Sequence, residues 1–275
     1  MKKNNPNQTI MDVVIPTGGS WELLEKCLRR LDENAKTAPI NVGVVINNVD
    51  SSEATIRAKA LGGFSNIKRF EVKILQGQTS FGEACNAGAR MFSSPLVMFL
   101  NDDIELDDDA IDKVVRSFDN LEIGIVGIKL IFPKDSIVPG RPAGKIQHIG
   151  MSLDINANPQ HPLVGWSADN PKCCVSREVW AVTGACLTVR RGLFNKIGGF
   201  DKRYEVGYFE DVDLCLSVRQ LGGKIYINAD AIGQHHTGAT MTKRKTPAPM
   251  QENAMKFKTK WASTGLLIWD MHTYY

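Results

Sequence analysis

The stretch LVMFLNDD (residues 96–103) decides how the rest of the chain is read. Its first five residues form an unbroken apolar run of strand length, with none of the alternation that a half-buried strand shows. Such a run belongs in the middle of a parallel sheet covered on both faces. Asn101, Asp102 and Asp103 follow at its carboxyl end, where a parallel sheet gathers its loops and binds its ligands. Two neighbouring carboxylates repel one another and call for a cation or hydrogen-bond donors. A divalent ion sharing one or two carboxylates with phosphate oxygens meets that need. Capping of the helix that starts near Asp107, Asp108 or Asp109 explains the acids equally well.

Working outward, the same alternation recurs. DVVIP (12–16) is a β-branched run stopped by proline, and Ser20 then stands as N-cap to Trp21, Leu24, Leu28 and Leu31, spaced as one helix face. Strand-like segments at 42–46 and 71–75 alternate with helix-compatible ones at 53–61 and 82–91. Beyond LVMFL, Ile111, Val114, Val115 and Phe118 mark another helix. This predicts a right-handed βαβ series under a parallel sheet. From 132 to 177 the pattern gives way to six prolines, with His148, His161 and Trp166 among them. A long irregular excursion inside a compact domain is usually functional. Regular structure returns at 179–190, in a helix from Gly192, in a second helix over 211–221 and in a strand over 224–232.

Composition sets outer limits. The chain has 275 residues, of which 43% are hydrophobic and 23% charged, which excludes a disordered or fibrous chain. A net charge of +3 does not argue for nucleic acid. No apolar run approaches the roughly 20 residues needed to cross a bilayer. The first ten residues lack the apolar core of a secretory signal. The six cysteines show no CxxC pairing and read as reduced thiols. A cytoplasmic location is the expectation, with the inner face of a membrane as a variant of it.

Two further clusters carry possible chemistry. FEDVDLC (209–215) sets Glu210, Asp211 and Asp213 in the first turn of a helix. Capping accounts for one acid there and poorly for three, whereas an ionised carboxylate beside a cleft can take a proton from an attacking hydroxyl. His235 and His236 follow a strand, and either is a candidate to complete the shell of a metal at Asp103.

VVIPT (13–17), QTSFGEACNAG (78–88), FLNDD (99–103), VTGACLTVRR (182–191), GGFD (198–201), FEDVDLC (209–215) and HHTGAT (235–240) occur in one order. In that order they resemble the family 2 glycosyltransferases, particularly the rhamnosyltransferase-like members. IQHIG (146–150) and His161 resemble that family's acceptor-side insertion. The resemblance implies a GT-A α/β fold, with a Rossmann-like nucleotide-binding sheet carrying helices on both faces. It divides the chain into a disordered N-terminus (1–11), a nucleotide-sugar-binding half (12–132), an acceptor-binding and catalytic half (133–240) and a C-terminal helical tail (241–275).

By position, Pro16, Thr17, Asn47, Gly82, Asn86, Asn101 and Asp102 would hold the nucleotide-sugar, and Asp103 with His235 a Mn²⁺ or Mg²⁺ ion. Asp211, beside Glu210, would be the general base, and His161, Trp180 and Gly184 would lie on the acceptor side. The implied activity is inverting, metal-dependent transfer of a hexose or deoxyhexose from a nucleotide-sugar to a saccharide or lipid-linked hydroxyl, as in polysaccharide biosynthesis. Asn47 stands where the family usually has aspartate, so a non-catalytic nucleotide-sugar or glycan-binding module on the same fold is the alternative. In the tail, Lys256, Lys258, Lys260 and Trp261 suit either docking on an anionic membrane or a helix packed on the catalytic domain.

Overall fold

Residues 9–236 and 248–267 are described by the computed structural model. The chain runs β1 (Met11–Thr17), α1 (Trp21–Asn34), β2 (Ile40–Ile46), α2 (Ser51–Ala60), β3 (Arg69–Ile74), α3 (Phe81–Ala89), β4 (Leu96–Leu100), β5 (Ile104–Leu106), α4 (Ala110–Ser117) and β6 (Ile123–Ile131). The excursion carries only the short β7 (Ile146–His148), β8 (Ser152–Leu153), β9 (Pro159–Gln160), a 3-10 turn (Pro171–Cys173) and β10 (Arg177–Glu178). Then come β11 (Cys186–Arg190), α5 (Arg191–Ile197), α6 (Glu210–Gln220), β12 (Lys224–His235) and α7 (Ala248–Trp261).

The main sheet has the order β10-β12-β6-β11-β4-β1-β2-β3, with β5 added to β12 and β7 to β6. The quartet β4-β1-β2-β3 is parallel, as the alternation implied. The second half departs from it, because β11 runs antiparallel between β4 and β6. The boundary at 132 is therefore not a division in space: β6 lies between β11 and β12, two strands of the later half. The N-terminal disorder expected over 1–11 does not reach 9–11. Thr9 Oγ1 is 2.8 Å from Ser94 Oγ, the Ile10 N–H donates to the Pro39 carbonyl, and Met11 opens β1 fully buried. Residues 1–8, 237–247, which include the end of HHTGAT, and 268–275 lie outside the described residues.

Each face of the sheet has its own core. Leu24, Leu28 and Leu31 of α1, Ala54 of α2 and Ile111 and Val114 of α4 cover the side chains of Val13, Ile15, Val42, Val44, Met98 and Leu100. Ala84 of α3, Phe194 of α5, Leu214 of α6 and Phe257 and Trp261 of α7 cover Val14, Val45, Val97 and Phe99 on the other face. Helix α3 lies close on β1 because Gly88 has no side chain, and a Cβ there would come within 2.2 Å of Val14 Cγ1. A capping box starts this helix: Glu83 N–H donates to Ser80 Oγ while Glu83 Oε2 accepts from Ser80 N–H. Below the sheet, Arg191 reaches the buried Asp12 carboxylate at 2.5 Å and also binds the Ser94 and Ala89 carbonyls.

The cysteines are free thiols, five buried and Cys174 exposed. Among the described residues no helix is long and apolar enough to cross a membrane. The tail lysines face protein partners. Lys256 binds the Arg203 carbonyl, Lys258 the Asn158 side chain, and Lys260 both Asp201 and Asp213. With Phe257 and Trp261 buried beneath them, these contacts match the packing alternative for α7.

Candidate active site

Four parts of the chain meet at the carboxyl edge of β1 and β4, the first being those strand ends themselves. The β1–β4 ladder ends at Val14↔Phe99, and Pro16, with no N–H to donate, sits beyond it. Past that point Thr17 Oγ1 donates to Asp102 Oδ2 at 2.6 Å, and the Gly19 N–H donates to Thr17 Oγ1. Burial, with Asp103 adding to it, pushes the Asp102 carboxyl up to about 7, against the lowering effect of the Thr17 bond. At the end of β2 the buried Asn47 gives its N–H to the Thr17 carbonyl.

Antiparallel β11 delivers the second segment. Cys186 pairs with Leu100, so residues 183–185 fall beside the end of β4, and Asn101 N–H donates to the Ala185 carbonyl. Gly184 N–H then donates to Asp211 Oδ2 at 2.8 Å, while Val212 N–H donates to Oδ1. A Cβ on Gly184 would lie 3.1 Å from Asp211 Cβ, so glycine permits this close approach without displacing the carboxylate. Burial raises the Asp211 carboxyl, and the Gly184 and Val212 N–H groups and nearby His161 oppose the rise. Glu210 is buried with Oε2 unpartnered, and burial together with Asp211 pushes it up to about 8. The third acid, Asp213, has a structural role, receiving Tyr204 Oη, Trp261 Nε1 and Lys260 Nζ.

The third segment is the end of β12. Antiparallel pairing of Ile104 with His235 brings both histidines to the acids. His236 N–H donates to the Asp103 carbonyl and its ring Nε2 meets Glu105 Oε1 at 2.9 Å, away from the carboxylate pair. His235 Nε2 stands 3.0 Å from Asp103 Oδ1, yet this buried oxygen accepts no hydrogen bond. His235 Nδ1 meets Gln147 Oε1 at 2.8 Å. In the neutral ring that arrangement gives the Nδ1 proton to Gln147 and turns the Nε2 lone pair toward Asp103. Two acceptors so close require a positive charge between them. An imidazole fixed through its other nitrogen beside an unpartnered carboxylate oxygen is a donor set that fits a divalent cation. Among the described residues no group of three such donors forms, so the remaining ligands must come from substrate or water.

The excursion supplies the last wall. His148 Nδ1 is 2.9 Å from His161 Nδ1, and Gly150 N–H points at His148 Nε2. Because Nε2 accepts, His148 carries its proton on Nδ1 and gives it to His161, whose own proton is then on Nε2. Burial holds both rings below the usual histidine range, although Asp211 pulls His161 the other way. His161 keeps an exposed edge, while its ring nitrogens, crowded by surrounding protein, feel the charges of Asp211 and His235.

Not every expected residue faces this cleft with a free group. Both ends of the Asn86 amide are taken by the Phe200 backbone, at 2.8 and 2.9 Å. Gly82 is packed against Phe200, whose Cβ lies 3.0 Å from where a Gly82 Cβ would be. The pair thus braces GGFD against α3. Trp180 is buried, its indole N–H bonded to the Leu266 carbonyl. Sequence reasoning passed over Gln147, although it sits beside His148 in IQHIG. It also passed over Asn48, whose side chain exchanges two bonds with the Thr79 backbone and fixes the turn before α3.

Comparison with known proteins follows this geometry. The profile described as glycosyltransferase-like family 2 matches residues 8–264. The O-antigen biosynthesis protein RfbC of Myxococcus xanthus is 31% identical over 163 residues, 56% of this chain and 12% of that protein. An N-acetylglucosaminyl-diphospho-decaprenol L-rhamnosyltransferase of Mycobacterium tuberculosis is 38% identical over 65 residues, covering 23% of this chain and 21% of the relative. The chain thus spans well under a third of these relatives. Among solved structures, GalNAc-T7 with UDP, GalNAc and Mn²⁺ superposes with a TM-score of 0.67 at 13% identity, over 94% of this chain and 49% of that one. S. aureus TarS 1–349 with UDP-GlcNAc gives 0.62 at 14%, over 96% and 69%. These likenesses identify the fold as GT-A. With the profile spanning nearly its whole length, the chain belongs to the family 2-like glycosyltransferases.

Proposed function

We propose that this protein transfers a sugar from a nucleoside-diphosphate sugar to a hydroxyl of a saccharide or lipid-linked acceptor, with inversion at the anomeric carbon. The observation that carries the reading is the juxtaposition, at one sheet edge, of the Asp103–His235 donor pair with Asp211 held on Gly184 N–H. Asp103 and His235 would hold Mn²⁺ or Mg²⁺, which neutralises charge developing on the diphosphate leaving group. Asp102 and Thr17 orient the donor. Asp211 accepts the proton of the acceptor hydroxyl as its oxygen bonds to the anomeric carbon and the bond to the diphosphate breaks. Burial raises the Asp211 carboxyl above the ordinary aspartate range, which makes it a stronger base than a solvated aspartate. Among the described residues we assign one base and no second carboxylate as nucleophile, which supports one displacement. The mycobacterial relative's name supports a deoxyhexose donor and a lipid-linked acceptor, and hence work at a membrane surface.

The experiment is a panel of nucleotide-sugars incubated with protein and Mn²⁺, with and without chelator. Metal-dependent release of nucleoside diphosphate on addition of acceptor supports the reading. Binding without release across the panel supports the non-catalytic module.

A further inference from the structure

Three non-glycine residues immediately before the proposed base have left-handed backbones: Val206 (φ 65), Tyr208 (φ 77) and Phe209 (φ 73). For a β-branched or bulky residue this conformation is strained, and it persists only where surrounding contacts over-determine it. Phe209 occupies the N-cap position of α6 without any side-chain cap, so the turn alone aims the helix start that carries Glu210 and Asp211.

The contacts that hold the turn come from α7. Asn253, fully buried, places Nδ2 2.9 Å from the Glu205 carbonyl, 2.9 Å from that of Gly207 and 3.3 Å from that of Tyr208. Its Oδ1 accepts from the Glu205 N–H. The remaining carbonyl, of Val206, accepts from Phe81 N–H at the start of α3. Phe257 packs its ring on Phe209 at 5.4 Å between centroids, and Trp261 and Lys260 bind Asp213 one turn into α6. Helix α7 is thereby keyed to both sides of the strained turn.

We propose that Asn253 is a positioning residue for sugar transfer: by tying the carbonyls of residues 205, 207 and 208, it fixes the strained turn that sets Asp211 against Gly184. The C-terminal helix is then a working part of the catalytic centre rather than a cover for it. This rests on the reading of Asp211 as the base.

Two readouts on Asn253→Ala test it, one of them independent of activity. Hydrogen exchange is expected to quicken at least tenfold at the amides of Phe81 and Asp213, which donate to Val206 and Phe209, with β1 and β4 amides unchanged. For transfer, kcat is expected to fall at least tenfold while the donor KM stays within twofold. Adding Val206→Gly, which accepts a positive φ without strain, is expected to restore part of kcat. Should Asn253→Ala not fold, Asn253→Asp keeps the shape and the acceptor for Glu205 and is read in the same way. Wild-type exchange at Phe81 and Asp213 in the folded variant overturns the proposal, as does a kcat loss that glycine at 206 leaves untouched. If the wild-type protein transfers no sugar, the function reading fails, while the exchange readout still decides whether Asn253 holds the turn.

Discussion

His235 Nε2 and Asp103 Oδ1 stand 3.0 Å apart, brought together by the three-residue strand β5 pairing with the end of β12, and no hydrogen bond joins them. The Gln147 contact on the far ring nitrogen turns the histidine's free lone pair toward the carboxylate. Asp103→Asn and His235→Ala are each expected to weaken Mn²⁺ binding at least tenfold, measured by titration in the presence of a nucleoside diphosphate. Gln147→Leu removes only the orienting contact and is expected to weaken it less than loss of either ligand, by about tenfold, the low end of the range for such supporting partners.

Gly184→Ala tests the close approach to Asp211. A methyl 3.1 Å from Asp211 Cβ asks the two residues to separate by a few tenths of an ångström, which lengthens the Gly184 N–H bond to the carboxylate. Since a displacement of about 1 Å at a reacting group costs on the order of 10²-fold in rate, this smaller one costs about threefold to tenfold. The expected result is a kcat loss of that order with a fall in Tm of only a few degrees, read by steady-state kinetics beside calorimetry.

Glu210 makes stability depend on pH. Burial lifts its folded-state value to about 8 from the ordinary 4.5, so between those limits the folded chain holds a proton that the unfolded chain has released. Stability contributed by this group therefore falls as pH rises through that window. Glu210→Gln removes the dependence. Denaturant unfolding is expected to show the variant gaining stability over wild type at pH 8.5 relative to pH 5, on the order of a few kcal/mol, since one pKa unit corresponds to about 1.4 kcal/mol.

His161, left with its proton on Nε2 by the His148 contact, is a neutral donor that we assign to the acceptor side of the cleft. His161→Ala is expected to raise the acceptor KM about tenfold and to leave the donor KM within twofold, in initial-rate measurements varying each substrate. His148→Phe breaks the link that fixes the tautomer and is expected to shift the same parameter in the same direction.

Much of this arrangement is legible in the residues. LVMFL occupies the buried β4 over the predicted residues, and the acids after it reach the loop edge as a parallel sheet demands. The face of α1 buries Leu24, Leu28 and Leu31 as their spacing implies. What stayed hidden depends on pairing. Nothing in the period of CLTVR tells that β11 inserts antiparallel between β4 and β6, yet that insertion puts Gly184 beside Asp211. The three acids of FEDVDLC look alike in sequence, and only Tyr204, Lys260 and Trp261 mark Asp213 as structural. Ser20 precedes α1 as expected, but its side chain does not cap the helix, whereas the unread Ser80–Glu83 pair forms a full capping box. Asn253 is one polar residue in a lysine-rich helix, and its meaning comes from carbonyls far away in the chain.

In the proposed reaction Asp211 and the Asp103–His235 pair have separate duties, and one measurement addresses that directly: Mn²⁺-dependent sugar transfer by Asp211→Asn alongside its binding of Mn²⁺ and nucleotide-sugar. The expected result is binding within twofold of wild type with transfer reduced about 10²- to 10⁴-fold, the span of general-base catalysis. Transfer at the wild-type rate by the folded variant would contradict the account.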